Sequence, residues 1–373
     1  MPFHDIAGNG RAKAILRMAL GRDRVPNSLL FVGPRGVGKR RTARVLAQAL
    51  NCLNKKDDAC GACGPCRAIE VKDKKDGRGT FPDVIEIQIG METVLRENRK
   101  KGPDAENAGE EPDEKKDQKK EKTVITMDQI QDLRKMAYLR PMIGRRRVFI
   151  VEDADNMSEE AKNALLKVLE EPPLFTHIIL LAEKSDLILP TIKSRCHSLT
   201  FLPVSDEEIE KALLDNAVPA DRARVTAIVC RGNLEKALEM DWDEIQQERS
   251  DAWRIFSALA DGSDPAALLR LYGHKREGEK RAAVKDELAT LLELLSTFGR
   301  DAVLLGEGGD PGLLINPDFE TELRNAASQI GPGRALRFIG LLHGAAASLD
   351  RNGHFGALTT SLTAQWLRAD EAP

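Results

Sequence analysis

One passage constrains this chain more than any other: the short apolar run Ser28-Leu29-Leu30-Phe31-Val32, followed at once by Gly33-Pro34-Arg35-Gly36-Val37-Gly38-Lys39. From Lys39 the spacing of Ala43, Leu46, Ala47 and Leu50 predicts a helix over 39–50. A buried strand, a glycine-rich loop of the form G-x-x-x-x-G-K and a helix form the context in which backbone N–H groups cradle phosphates. Gly33, Gly36 and Gly38 let the backbone come close, and Lys39 brings the neutralising charge. The next position departs from the motif. A Ser or Thr hydroxyl is required there to ligate magnesium, and the residue is Arg40. A guanidinium cannot ligate a divalent cation, so the chain's own site is expected to hold nucleotide weakly or not at all.

Further apolar runs at 84–88, 147–152, 178–182 and 198–202 predict strands, and helical patterns at 126–138 and 158–171 lie between them. Ser158 suits an N-cap, and Pro172-Pro173 stops the second helix. Alternating strands and helices predict an α/β fold with a parallel sheet covered on both faces and ligands at the carboxyl ends of its strands. The strand at 147–152 runs into Glu152-Asp153. Two carboxylates there suit a magnesium site in phosphoryl transfer, although the usual ATPase order is Asp-Glu. A strand that merely ends at a polar turn is the competing reading.

Four of the six cysteines, Cys52, Cys60, Cys63 and Cys66, are spaced C-x7-C-x2-C-x2-C among Gly and Pro. Tight turns of this kind let four thiolates converge on one zinc ion, and four protein ligands leave no open position, which makes the site structural. Reduced thiols or a redox pair are the alternative. Cys196 and Cys230 stand alone and are expected to pack in the interior. Residues 96–122 contain no Leu, Ile, Val or aromatic side chain, and nine basic residues balance nine acidic ones, so this stretch reads as a disordered charged insert. A formal charge of -3 confines any nucleic-acid contact to a local surface. The apolar runs are of strand length and the N-terminus has no signal-peptide form, which predicts a cytosolic protein without membrane contact.

The run Ala164-Leu165-Leu166-Lys167-Val168-Leu169-Glu170-Glu171-Pro172-Pro173, followed by Leu189-Pro190-Thr191-Ile192-Lys193-Ser194-Arg195-Cys196, resembles the bacterial clamp-loader branch of the AAA+ ATPases. The cysteine insert and Phe81-Pro82-Asp83-Val84-Ile85-Glu86 belong to the same resemblance, which covers about residues 3–240. It implies an AAA+ domain over 1–204 with a zinc module at about 51–67, a helical lid over 205–245 and a helical collar over 246–373. It also implies partners: delta and tau/gamma subunits in a heteropentamer, the sliding clamp, and primed DNA.

Two kinds of subunit share these motifs, an ATP-hydrolysing tau/gamma motor and a largely rigid, ring-completing member. Four departures separate this chain from the motor: Arg40 for the hydroxyl, Glu152-Asp153 for Asp-Glu, Glu183 for a polar phosphate sensor, and Glu235 for a late arginine in Gly232-Asn233-Leu234-Glu235. The resemblance gives Arg195 the role of an arginine finger acting on a neighbour's ATP and Mg2+, for which a planar, permanently charged fork is suited. An Arg paired with a carboxylate of its own domain is the plainer reading. The motor itself, a free-standing AAA+ DNA-remodelling ATPase and a zinc-dependent nucleic-acid binder remain as alternatives.

Overall fold

The computed structural model describes residues 2–54, 57–71, 80–90, 124–264, 266, 281–350 and 355–368. The charged insert at 96–122 lies outside the described residues. The chain divides into two compact units, one of Met1–Ser205 with Asn233–Glu235, the other of Asp206–Gly232 with Lys236–Pro373.

The first unit is built on a five-stranded sheet in the order β2-β3-β4-β1-β5, formed by β1 (Ser28–Val32), β2 (Val84–Ile87), β3 (Arg147–Val151), β4 (Thr176–Ala182) and β5 (His197–Thr200). Its four pairings are all parallel. Parallel neighbours cannot be joined by tight turns, so helices make the crossovers and cover both faces. That explains why β3 and β4 are buried along their whole length and read as apolar runs after Arg147 and after Thr176-His177. Alternate residues serve opposite faces. Leu29, Phe31, Ile150 and Ile179 pack on one side, and Leu30, Phe149, Val151 and Ile178 on the other.

Helices α1 (Gly10–Gly21), α2 (Lys39–Asn51) and α3 (Gly64–Glu70) contribute to the first of these cores, and α4 (Met127–Ala137) and α5 (Glu159–Glu170) to the second. Their ends follow local chemistry. Thr126 and Gln129 form a capping box before α4, and the Ser158 hydroxyl accepts from the Ala161 N–H, as its spacing predicted. Asp83, on the segment entering β2, is fully buried and accepts N–H bonds from Met142, Ile143 and Gly144 at 2.8 Å and from Arg147 at 2.9 Å. One aspartate thus moulds the loop that enters β3. The last strand begins one residue earlier than the apolar run suggests, and Cys196 is half-buried where the interior was expected.

The second unit is helical. Residues from Val225 to Trp366 share a single apolar cluster, centred on Phe256, Phe298 and Phe338. Helices Arg281–Gly306 and Pro332–Asp350 supply much of it. The helix Trp242–Ala260 runs across residue 245, and Ile245 and Ala252 belong to that one cluster. Cys230 is buried in this unit, 3.3 Å from the Met240 sulfur. Among the described residues no helix is long and apolar enough to cross a membrane.

Candidate functional site: a phosphate loop, a cysteine cluster and an outlying arginine

The glycine loop leaves the carboxyl end of β1, as the strand–loop–helix reading required. Gly33 has no room for a side chain, because a Cβ there would lie 2.2 Å from the Phe201 carbonyl oxygen. Gly36 and Gly38 adopt left-handed conformations at φ of 69° and 89°. The segment Asn233–Glu235 lies over the loop: the Glu235 N–H donates to the Gly36 carbonyl at 3.2 Å, and a Cβ on Gly36 would meet the Asn233 Oδ1 at 1.6 Å.

Lys39 does not extend into the loop's anion cradle. Its ammonium donates to the carbonyl oxygens of Gly33 and Pro34, both at 2.5 Å. Burial lowers its pKa, against the raising influence of Glu183, Asp155 and Asp153.

Arg40 faces inward. Its Nη2 donates to the Glu86 Oε2 at 2.9 Å, and its Nε lies 2.7 Å from the Glu152 Oε1. The second contact is an ion pair without hydrogen-bond alignment, since the Nε makes no hydrogen bond. Arg44, one helical turn on, grips Glu86 with two bonds, Nε to Oε1 at 2.6 Å and Nη2 to Oε2 at 2.8 Å. Gln88 adds a bond to the Glu152 Oε1 at 2.7 Å. Burial alone would raise the Glu86 carboxyl, but Arg44 and Arg40 outweigh it and hold the group below its ordinary range. Burial does prevail at Glu152, raising its pKa in spite of Arg40 and Gln88.

The remaining charges are nearer solvent. Arg35 sits 3.6 Å from Asp153 and 3.5 Å from Glu183. Asp153 occupies a left-handed conformation at φ 47°, and Asp155 receives the N–H groups of Glu183 and Lys184. The structure therefore brings Gly33, Gly36, Gly38, Lys39, Arg40, Glu152 and Asp153 together at one end of the sheet. Glu86, Arg44 and Gln88 complete that group and escaped the sequence reading. Two spacings could have revealed them: Arg40 and Arg44 are four apart on a helix, and Glu86 and Gln88 two apart in an extended run, so each pair shares a face.

Cys52 ends α2, Cys63 precedes α3, Cys66 lies in the first turn of α3, and Cys60 sits in the intervening turn, where Gly61 has φ 69°. Their four sulfurs all lie within 4.8 Å of one another, with Cys60 and Cys66 at 4.0 Å. Four thiolates at Zn–S distances of about 2.3 Å in a tetrahedron would be about 3.8 Å apart, so the set fits a metal ion with small adjustments. N–H groups of Cys63 and Ala62 point at the Cys60 sulfur and lower its pKa to about 6, favouring the thiolate that a metal needs.

Arg195 stands apart from all of these. It follows α6 (Pro190–Lys193) and precedes β5, so it lies at the amino end of the sheet. Because β5 runs parallel to β1, with Leu29 opposite His197 and Val32 opposite Thr200, the phosphate loop begins where β5 ends. At about 3.3 Å per residue the two ends are separated by about 13 Å of strand. The Arg195 guanidinium donates to the Thr191 carbonyl and to the Glu170 Oε1, each at 2.9 Å. About a third of its side chain is exposed (34%), as is half that of Glu170 (53%).

Comparison with known proteins gives the family of the chain. A model of the family described as "DNA polymerase III, delta subunit" matches residues 8–205. The delta' subunit of DNA polymerase III from Bacillus subtilis is 25% identical over 327 residues, covering 85% of this chain and 83% of that one. The tau subunit of the same organism is 28% identical over 322 residues, covering 84% of this chain and 48% of its own length. A gamma/tau subunit of Mycobacterium tuberculosis is 32% identical over 200 residues, 53% of this chain and 28% of that protein. The chain thus spans half or less of these longer relatives. Among solved structures, a gamma subunit-related protein of Thermotoga maritima is 16% identical, with 94% of this chain and 98% of that one covered and a TM-score of 0.37. Matched by the family model over more than half of its length, the chain belongs to the DNA polymerase III delta subunit family.

Proposed function

We propose that this chain acts as a delta-prime-type subunit of the DNA polymerase III clamp loader, one that hydrolyses no ATP itself and presents Arg195 to the ATP site of a neighbouring subunit. The observation that carries this reading is the placement of Arg195 and the phosphate loop at opposite ends of one parallel sheet. A finger at the amino end cannot reach its own loop, but it is free to enter a site brought by another subunit. Its two present bonds go to a turn carbonyl and an exposed glutamate, and exposed ion pairs hold little energy, so a stronger anion can take the guanidinium from them. In phosphoryl transfer such a planar cation stabilises the charge that spreads over the transferred group, with an effect on the order of a thousandfold or more.

In this reading the chain joins delta and tau/gamma subunits in a heteropentameric ring that helps place the sliding clamp on primed DNA during replication. It is a cytoplasmic, nucleoid-associated component of the polymerase holoenzyme and has no membrane role. The helical residues from Asp206 onward serve as the lid and the collar that joins the ring. The four cysteines hold a structural zinc ion. The tau/gamma motor is the second reading, supported by the sequence likeness to those subunits. ATP hydrolysis by the purified chain separates the two. The delta-prime reading expects none above background; steady turnover that Lys39→Ala abolishes would establish the motor instead.

A further inference from the structure

A magnesium nucleotide does not fit the loop as this chain builds it, and the reason lies in one side chain. Glu86 on β2 and Glu152 just beyond β3 project from the same face of adjacent strands, since Glu86 is paired with Ile150, two residues before Glu152. Both carboxylates converge on the start of α2. In a magnesium site of this type a short hydroxyl follows the lysine and the cation fills the gap between helix and strand. Here the gap contains the Arg40 guanidinium, 2.9 Å from Glu86 and 2.7 Å from Glu152. The Glu86 side chain is only 2% exposed, so its charge needs a permanent partner.

We propose that Arg40 is a built-in counter-cation: tethered to α2, it occupies the position of the divalent metal, neutralises Glu86 and Glu152, and closes this loop to metal-complexed nucleotide. This rests on the reading of the chain's own site as non-hydrolysing and supplies its physical cause. An ion on a covalent tether is not displaced by millimolar magnesium, whereas a bound metal comes and goes. The acids therefore remain because they hold α2 to the sheet, and Arg44 shares that work by gripping both oxygens of Glu86.

The test uses the full-length chain, with MnCl2 and Mn-ADP as probes read by electron paramagnetic resonance. Wild type is expected to bind no Mn2+ at this site. Arg40→Thr vacates the gap and restores a hydroxyl, so it should gain one Mn2+ site and bind Mn-ADP at least tenfold more tightly than wild type. Adding Glu86→Gln or Glu152→Gln to Arg40→Thr should remove that gain. Arg40→Lys keeps a tethered charge and should fold without binding metal. If Arg40→Thr is unfolded in metal-free buffer, Mn2+ should refold it. Failure to refold, a folded Arg40→Thr that binds no Mn2+, or a wild type that binds Mn-ADP as tightly as Arg40→Thr would each overturn the proposal. None of these readouts involves Arg195. A loader indifferent to Arg195→Ala would sink the finger and leave the counter-cation standing, and the converse also holds.

Discussion

The two ends of the sheet use arginine in opposite ways. At the carboxyl end Arg40 and Arg44 are drawn inward onto Glu86 and Glu152, and Lys39 is folded back onto the loop's own carbonyls. At the amino end Arg195, about a third exposed, touches one exposed acid and one carbonyl. At the loop end the charges of Lys39, Arg40 and Arg44 are committed to the fold of this chain. At the other end Arg195 rests on an exposed ion pair, as the proposed finger role requires. The loop end thus reads as a structural joint that keeps the outline of a nucleotide loop, and the side chain proposed as a finger lies at the opposite end of the sheet.

Three disturbances probe that contrast, in descending order of expected effect. The largest is removal of the zinc proposed at the cysteine cluster. Cys52 directly follows α2, whose first turn carries Arg40, and α3 carries Cys66, so a metal on the cysteine cluster would clamp the far end of α2. Freshly purified protein should contain about one equivalent of zinc per chain, and structural zinc is worth upwards of about 10 kcal/mol in isolated fingers. Chelation or Cys66→Ser should therefore raise hydrogen exchange in residues 52–70 and along α2, while β5 and the Arg195 turn stay protected. Equal loosening at both ends would show that the cluster is not a local clamp.

The second disturbance is Arg44→Ala. Removing one partner of a buried ion pair leaves an uncompensated charge and typically costs about 3–5 kcal/mol. Arg40 remains to hold one Glu86 oxygen, so the cost is expected at the lower end, about 3 kcal/mol, read from the opening free energy of α2 amides by native-state hydrogen exchange. Glu86→Gln in the Arg44→Ala background should recover part of it, because the orphaned charge is then gone. A loss below about 1 kcal/mol, the range of an exposed pair, would mean that solvent reaches Glu86 and that the joint is not structural.

The sequence was most legible where a residue's role depends on its neighbours in the chain. The strand running into the glycine loop, the Ser158 cap and the four-cysteine spacing all belong to this class, and each lies within a few residues of its partners. The departure at Arg40 was also visible, but only as a missing hydroxyl. What Arg40 does instead depends on Glu86, forty-six residues away, and on the pairing of β2 with β3, which no local pattern specifies. The same limit applies to Arg195. Its motif was readable, whereas its partner Glu170 and its place at the opposite end of the sheet follow from strand order and direction. The Asn233–Glu235 segment that covers Gly36 was read as an eroded motif, and its contact with the loop emerges only from the fold.

The smallest effect on stability and the most direct test of function meet in Arg195. As a partly exposed pair with Glu170, it should contribute less than about 1 kcal/mol, so Arg195→Ala should fold and assemble as wild type does. The decisive measurement is single-turnover ATP hydrolysis by a reconstituted five-subunit loader in the presence of clamp and primed DNA, with wild-type or Arg195→Ala chain and stoichiometry checked by native mass spectrometry. The account predicts that one site's share of the phosphate burst slows on the order of a thousandfold while the other sites keep their rate, and that Arg195→Lys rescues poorly for want of the planar fork. A fully assembled Arg195→Ala loader that releases its whole burst at the wild-type rate would contradict it.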